Sequence, residues 1–403
     1  MQSYYRRPLP EGLVPFSSAL GREVFAEALA EGGMGAFFAL SEQFHTQAEP
    51  AFCALGSLVV VLNALSIDPG RFWKGPWRWF SEEMLDCCAP LEVVRERGLT
   101  LPQFACLARC NGAEVEWSRA ETSSLEAFRA ALRAGTKAGS GPFLVVSYSR
   151  RALGQTGDGH FSPVGGYCEA RDLVLVLDVA RFKYPPHWVP LRALWESMLP
   201  LDSETGKSRG FALLRAGALP AALLRVAERP ADWEAEAVLL ARALPEKLQA
   251  EPAPSVEDAL VQVFRELPPG LRAAWERSSL TTPASLSPEH QALAENLFAE
   301  LGASPLCERL RPVLRAEWGE SLGRWAPEIA ALLGMALLPG LLPAFPASLR
   351  EELAFLAEPS PRAALTKQEV QRLRSQLAAL RESSCCAPPL GEESGCGPSC
   401  AKG

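Results

Sequence analysis

The hydrophobic pattern is densest around Cys53, where Ala54, Gly56 and Ser57 give way to the apolar run Leu58 to Leu62. Val59, Val60 and Val61 would suit a strand, but the run outlasts a typical strand, so a buried helix is expected, closing near Asn63-Ala64-Leu65 before a turn at Ile67-Asp68-Pro69-Gly70. An entry segment and a helix occupy the first 45 residues, ending at Gly32-Gly33. Helices are also expected over Glu82 to Cys88, Leu101 to Cys110 and Leu125 to Leu132. Then the period changes. Pro142 to Tyr148 reads as a strand, Gly157 to Tyr167 as a glycine-rich bend into a second, and Leu173 to Asp178 as a third, nearly all apolar. Helices first and short turn-linked strands second predict an α+β domain with an antiparallel sheet and a cleft between two lobes.

Beyond residue 217 the chain turns to Ala, Leu, Arg, Glu and Pro, with helical spacing over 232–243, 256–267, 288–301, 349–357 and 367–381. Three parts are therefore expected: 1–216, a helical region 217–381, and a tail 382–403 rich in Cys, Gly, Pro and Ser that cannot bury a core. In the tail, Cys385, Cys386, Cys396 and Cys400 are spaced more loosely than zinc-finger ligands; a soft-metal clip and a flexible thiol-bearing tail both fit.

Composition narrows the partners. With 47 acidic against 40 basic residues and a net charge of −7, nucleic acid is not expected. Residues 329–349 form an uncharged stretch of membrane-spanning length, but Pro339, Pro343 and Pro346 argue for a buried helix followed by a loop. No secretory pattern follows Arg6-Arg7, and eleven cysteines scattered over 403 residues read as reduced thiols in a cytoplasmic protein. Cys106 and Cys110 share a helix face, where they could hold a soft metal or simply pack as small hydrophobes. Phe72 to Phe80 carries three tryptophans, an aromatic wall or a packed loop.

Cys53 follows Pro50 at the start of the buried helix, where the helix dipole and open N–H groups favour thiolate. A cysteine nucleophile needs a base, and the base needs an orienting group. Of the four histidines, His160 lies between Gly159 and a strand, and Asp178 ends the neighbouring apolar strand, where a carboxylate needs a partner. His187 is expected to cap a loop, His290 falls in the helical half, and His45 precedes Cys53. Gln47, six residues before Cys53, could direct an amide N–H at an oxyanion.

The order Gln, Cys, His, Asp resembles papain-like cysteine enzymes. Gln47 to Cys53, Leu62 to Arg71, Trp73 to Trp79, Gly159 to Pro163 and Leu177 to Trp188 more closely resemble phytochelatin synthases, over about residues 4 to 215. The resemblance implies a papain-like fold and γ-Glu-Cys transfer from glutathione, with release of glycine, through a thioester on Cys53. His160 would be the base, Asp178 its orienter and Gln47 an oxyanion donor. Asp202 and Arg209 would meet the γ-glutamyl group, with Gly159, Phe161 and Arg181 further substrate contacts. No organic cofactor is implied; cadmium or zinc would activate as metal–glutathione thiolates, in metal detoxification. The implied partners are glutathione, its metal complexes and phytochelatins, not membranes, with room for a homodimer. Two positions depart from the family: Phe52 stands where relatives usually have Tyr, and His45 where they usually have Gln. Hydrolysis of the same thioester would make a glutathione or glutathione-conjugate peptidase, and a non-catalytic thiol-rich metal buffer is a third reading.

Overall fold

The computed structural model describes residues 5–70, 72–89, 91–217, 238–267, 271–272, 288–319 and 322–384. The tail cysteines Cys385, Cys386, Cys396 and Cys400, and residues 232–237 of the helix expected over 232–243, lie outside the described residues; Leu239–Ala243 is a turn of π-helix.

The first half mixes helices with an antiparallel sheet. Its elements are β1 (Val14–Pro15), α1 (Ala19–Ala30), α2 (Gly35–Ser41), α3 (Cys53–Ala64), α4 (Leu91–Arg97), α5 (Leu101–Cys110), β2 (Ala113–Arg119), α6 (Leu125–Lys137), β3 (Phe143–Ser149), β4 (Gly159–Cys168), β5 (Leu173–Val176), β6 (His187–Pro190), α7 (Leu191–Glu196) and β7 (Gly210–Ala216). The strands form one sheet in the order β1-β6-β5-β4-β3-β7-β2, with every pairing antiparallel. The expected strands are β3, β4 and β5; β1, β2, β6 and β7 extend the sheet on both sides. β7 enters between β3 and β2, so the close pairing at Gly210 leaves no room for a side chain: a Cβ there would sit 2.0 Å from the Ser118 carbonyl oxygen.

Helix α3 is buried from Cys53 to Asn63, as the apolar run requires, and it packs against β4. Asn63 fixes its far end, donating to the Phe80 carbonyl and accepting from the Phe80 N–H, both at 3.1 Å. The expected helix over Glu82 to Cys88 shrinks to a single 3₁₀ turn, Glu82–Met84. The Glu82 carboxylate is drawn to His45 and to the Ala48 N–H instead, and Cys88 is tied to Cys106 by a disulfide. That disulfide corrects the expectation of wholly reduced thiols. The tryptophan-rich segment is neither wall nor packed loop. It is a tight turn, with the Trp73 N–H on the Trp77 carbonyl, and Trp77 is 72 % exposed.

The second half is helical: α8 (Leu244–Ala250), α9 (Val256–Arg265), α10 (Pro288–Gly302), α11 (Pro305–Trp318), α12 (Ala326–Leu341), α13 (Ala347–Leu356) and α14 (Ala364–Ser384). Among the described residues α12, continued to Ala344, is the one helix long and apolar enough to cross a membrane, and most of that stretch is buried here by its neighbours. Pro339 does not end it, contrary to expectation. A helical proline orphans the carbonyl four residues back. Here that carbonyl belongs to Met335, and Arg374 of α14 donates to it at 3.0 Å. The apolar core runs on between the halves, with α14 packed against α5 and Arg109 donating to Ser375.

Candidate active site

Cys53 is the first residue of α3, with Phe52 before it making no side-chain cap. Its sulfur lies at the N–H groups of Phe161 and Ala54. Phe161 follows His160 on β4, so the strand that carries the imidazole also touches the sulfur. Burial nevertheless pushes the thiol above its ordinary range, and those N–H groups and the charge on Arg150 only partly offset this. The helix start therefore does not make a resting thiolate, against the sequence argument, because the site is dry.

His160 is buried, and its Nε2 lies 3.0 Å from Asp178 Oδ1. The tautomer that carries its proton on Nε2 donates to the carboxylate and leaves Nδ1 as the basic nitrogen; the other tautomer accepts from Arg150 instead. Burial lowers the imidazole pKa to about 4, Asp178 opposing and Arg150 reinforcing the shift. Burial works to raise the Asp178 pKa, but His160 and Arg150 outweigh it and hold the carboxyl well below the usual range. The resting pair is thus neutral thiol and neutral imidazole, over a buried carboxylate.

Arg150, which sequence reasoning missed, completes this set. It is 3 % exposed; its Nη2 donates to Asp178 Oδ1 and Oδ2 at 2.9 and 2.8 Å and lies 2.8 Å from His160 Nε2. Its Nη1 donates to Gln155 Oε1, and Gln155 Nε2 donates in turn to His187 Nε2, whose Nδ1–H reaches the Pro185 carbonyl. Every bond in this chain points one way, which fixes the neutral tautomer of His187. His187 is thus a buried strand residue at the start of β6, not a loop cap. The sequence signal for Arg150 was a charge directly after a mostly apolar strand, β3.

Gln47 is buried, its N–H on the Val179 carbonyl, and its Nε2 donates to the carbonyls of Glu49 (2.8 Å) and Pro50 (2.9 Å). Both amide protons are therefore engaged. His45 binds Glu82 at 2.8 Å, and both, with Gln47, border the space over Gly56 on α3. Phe161 stacks on Phe104 of α5 with centroids 5.2 Å apart. Phe52, buried, lies under the Arg95 guanidinium.

Asp202 and Arg209 share a loop but do not meet. Asp202 Oδ1 accepts from the N–H groups of Glu204 and Thr205. Arg209 points inward: Nη1 donates to the Pro200 and Leu201 carbonyls, Nη2 lies 3.4 Å from Asp158 Oδ2, and its buried Nε has no partner. The guanidinium borders Gly159, beside His160. The acid and base that sit together here are thus Asp158 and Arg209. Arg181 is half-buried.

The neutral state of His160 sets a sign for acid stability. The unfolded imidazole takes up a proton near its ordinary 6.5 and the folded one only at about 4, so stability contributed by His160 is complete above that range and lost as pH falls through it. Asp178 adds a further loss at lower pH. Denaturant midpoints measured from pH 7 to 4 are expected to fall steadily; a flat profile would mean that His160 is charged in the folded protein.

Neighbouring inner strands of an antiparallel sheet, one carrying His160 and the next leading to Asp178, set against a helix that begins with a buried cysteine, define the class: proteins with a Cys–His–Asp site on an α+β scaffold. The phytochelatin synthase family model matches residues 4–211, and the chain belongs to that family. It is 50% identical over 270 residues to glutathione gamma-glutamylcysteinyltransferase 1 of Arabidopsis thaliana, covering 66% of this chain and 56% of that protein. It is 47% identical over 270 residues to glutathione gamma-glutamylcysteinyltransferase 3 of Lotus japonicus, with the same coverage. The Schizosaccharomyces pombe glutathione gamma-glutamylcysteinyltransferase is 45% identical over 232 residues, 58% of this chain and 56% of that one. The chain thus spans just over half the length of the curated relatives it matches.

Proposed function

We propose that the chain is a γ-Glu-Cys dipeptidyl transferase that uses glutathione, built on a papain-like catalytic domain. The observation that carries this reading is the seat of Cys53: a helix start whose sulfur lies on the amide next to His160, with His160 hydrogen-bonded to Asp178. His160 Nδ1 takes the thiol proton as Cys53 attacks the Cys–Gly carbonyl of glutathione. Proton transfer at the moment of attack suits two partners that are neutral at rest. Arg150 and Asp178 hold the ring in place. The open N–H groups of the first turn of α3 receive the oxyanion, and Gln47 joins them by turning one N–H away from the carbonyl of Glu49 or Pro50. His160 then gives its proton to the departing glycine amine, leaving γ-Glu-Cys as a thioester on Cys53. The amine of a second glutathione, or of a growing chain, attacks the thioester, yielding (γ-Glu-Cys)n-Gly and freeing the thiol.

A γ-glutamyl group carries a free amine and a free carboxylate. Arg209, with its free Nε beside Gly159, is suited to the carboxylate, and Asp158, half-exposed, to the amine. Asp202 shapes the loop that positions Arg209. Arg181 is suited to a second substrate carboxylate. Cadmium and zinc enter as thiolates of the substrate, so they are substrate rather than resident metal.

The test is incubation of the protein with millimolar glutathione, with and without cadmium, reading products by mass. Oligomers longer than glutathione are expected when cadmium is present. Glycine and free γ-Glu-Cys without oligomers would mean that water, not an amine, resolves the thioester.

A further inference from the structure

Three cysteines meet away from Cys53, and a fourth is tied to one of them. Cys87 and Cys88 come from the segment after the Glu82–Met84 turn, Cys106 and Cys110 from one face of α5, and all four are buried. Cys88 and Cys106 are joined by the disulfide. The Cys88 sulfur lies 3.5 Å from that of Cys110 and 3.7 Å from that of Cys87, and these three sulfurs all lie within 4.8 Å of one another. A tetrahedral four-thiolate site with metal–sulfur bonds of about 2.3 Å sets its sulfurs about 3.8 Å apart. Two of the contacts are already close to that spacing. Cys106 is not one of those three, so once the disulfide is reduced its sulfur would have to swing toward Cys87 and Cys110 to serve as the fourth ligand.

We propose that the reduced cluster is a site for one soft divalent cation, zinc or cadmium, with Cys87, Cys88, Cys106 and Cys110 as ligands. The disulfide and the ion are alternative occupants. Two molecules of a monothiol reduce the bond: one attacks a sulfur of the pair, releasing its partner as a thiol, and the second attacks the mixed disulfide. The cystine becomes two cysteines, and the monothiol leaves as its own disulfide. The ion then displaces four thiol protons to solvent and forms four metal–sulfur bonds. The surroundings suit the resulting negative charge. Asn111 Nδ2 donates toward the Cys87 sulfur at 3.7 Å, and the Arg109 guanidinium lies beside Cys110. Small buried hydrophobes have no need to bring three sulfurs within 4.8 Å of one another.

Placement gives the site reach. Helix α5 carries Phe104, stacked on Phe161 next to His160, and Arg109, bonded to Ser375 of α14. An ion joining α5 to the 87–88 segment would brace the helix that lies between the candidate active site and the C-terminal helices. The inference stands apart from the transferase reading, since it needs no turnover.

The test uses the full chain with Cys385, Cys386, Cys396 and Cys400 changed to Ser, so that tail thiols do not contribute. After phosphine reduction, the protein is equilibrated with cadmium chloride and desalted. Retained cadmium is counted by elemental analysis and its thiolate charge-transfer absorption is recorded in the ultraviolet. One retained ion per chain is expected, lost or bound at least about 100-fold more weakly when Cys87→Ser and Cys110→Ser are added, and kept in Cys168→Ser and Cys307→Ser. Cadmium retention unchanged by the Cys87→Ser, Cys110→Ser pair would overturn the proposal. Should that pair fail to fold, the comparison moves to the chain retaining all four cluster cysteines. Cadmium should raise its unfolding midpoint when the cluster is reduced and not when it is oxidised; equal midpoints would overturn it.

Discussion

Cys53→Ser is expected to abolish glycine release from glutathione, by at least about 10⁴-fold, while leaving the thermal midpoint within a few degrees of the parent. The two parts of this result have separate causes. Serine is slightly smaller than cysteine and nearly the same shape, so α3 should keep its seat against β4. Chemistry suffers because His160 is a weak base, with its pKa lowered to about 4 by burial. Such an imidazole can take a proton from a thiol as attack proceeds, but a hydroxyl holds its proton far more tightly. Parallel glycine assays and thermal melts decide the matter. Retention of more than about one hundredth of the parent rate would remove Cys53 from the nucleophile's role.

The second large effect concerns Arg150. Arg150→Met deletes the guanidinium that satisfies both oxygens of Asp178, leaving a carboxylate that is 1 % exposed with fewer partners. Removing one member of a buried ion pair costs about 3–5 kcal/mol, because the other charge stays buried. Gln155 Oε1 loses its donor as well. Adding Asp178→Asn should return part of that stability, since the uncompensated charge disappears, but it should not return glycine release, since His160 loses its orienter. Denaturant titrations of the two singles and the double form a cycle that reads the coupling directly. If Arg150→Met unfolds within about 1 kcal/mol of the parent, the pair is not the keystone its burial indicates.

What could be read from the sequence followed from local pattern. The apolar run after Cys53 specified α3, apolar and β-branched runs specified β3 and β5, and a glycine-rich bend specified β4. Cys53, His160 and Asp178 were legible because Cys53 and His160 stand at the start of an apolar element and Asp178 ends one. β2 and β7 were not, because what makes them strands is each other: Glu114 pairs with Arg215 and Trp117 with Ala212, partners about a hundred residues apart. Arg150 and Gln155 escaped for a related reason: the groups they bind, Asp178 after β5 and His187 on β6, come near the end of β3 only through the sheet order β3-β4-β5-β6. Burial of the Cys53 thiol ran against the dipole argument, and no local pattern reports how dry a site will be. Pro339 misled because the donor that rescues its orphaned carbonyl, Arg374, comes from another helix.

The position of β7 has a bearing on how the chain is made. β3 has β4 on one side and β7 on the other, and β2 is attached to the sheet only through β7. During synthesis from the N-terminus, β2 and β3 emerge long before residue 210, so until then each has an open edge and β2 has no partner. Long-range pairing of this kind is slow and leaves edges exposed to wrong neighbours. The strand that closes the sheet is also the one that follows Arg209 directly. The nascent chain therefore acquires a finished sheet and the guanidinium that borders Gly159 in the same step, so an interrupted product ending before residue 210 would carry the cysteine and histidine on an unfinished scaffold.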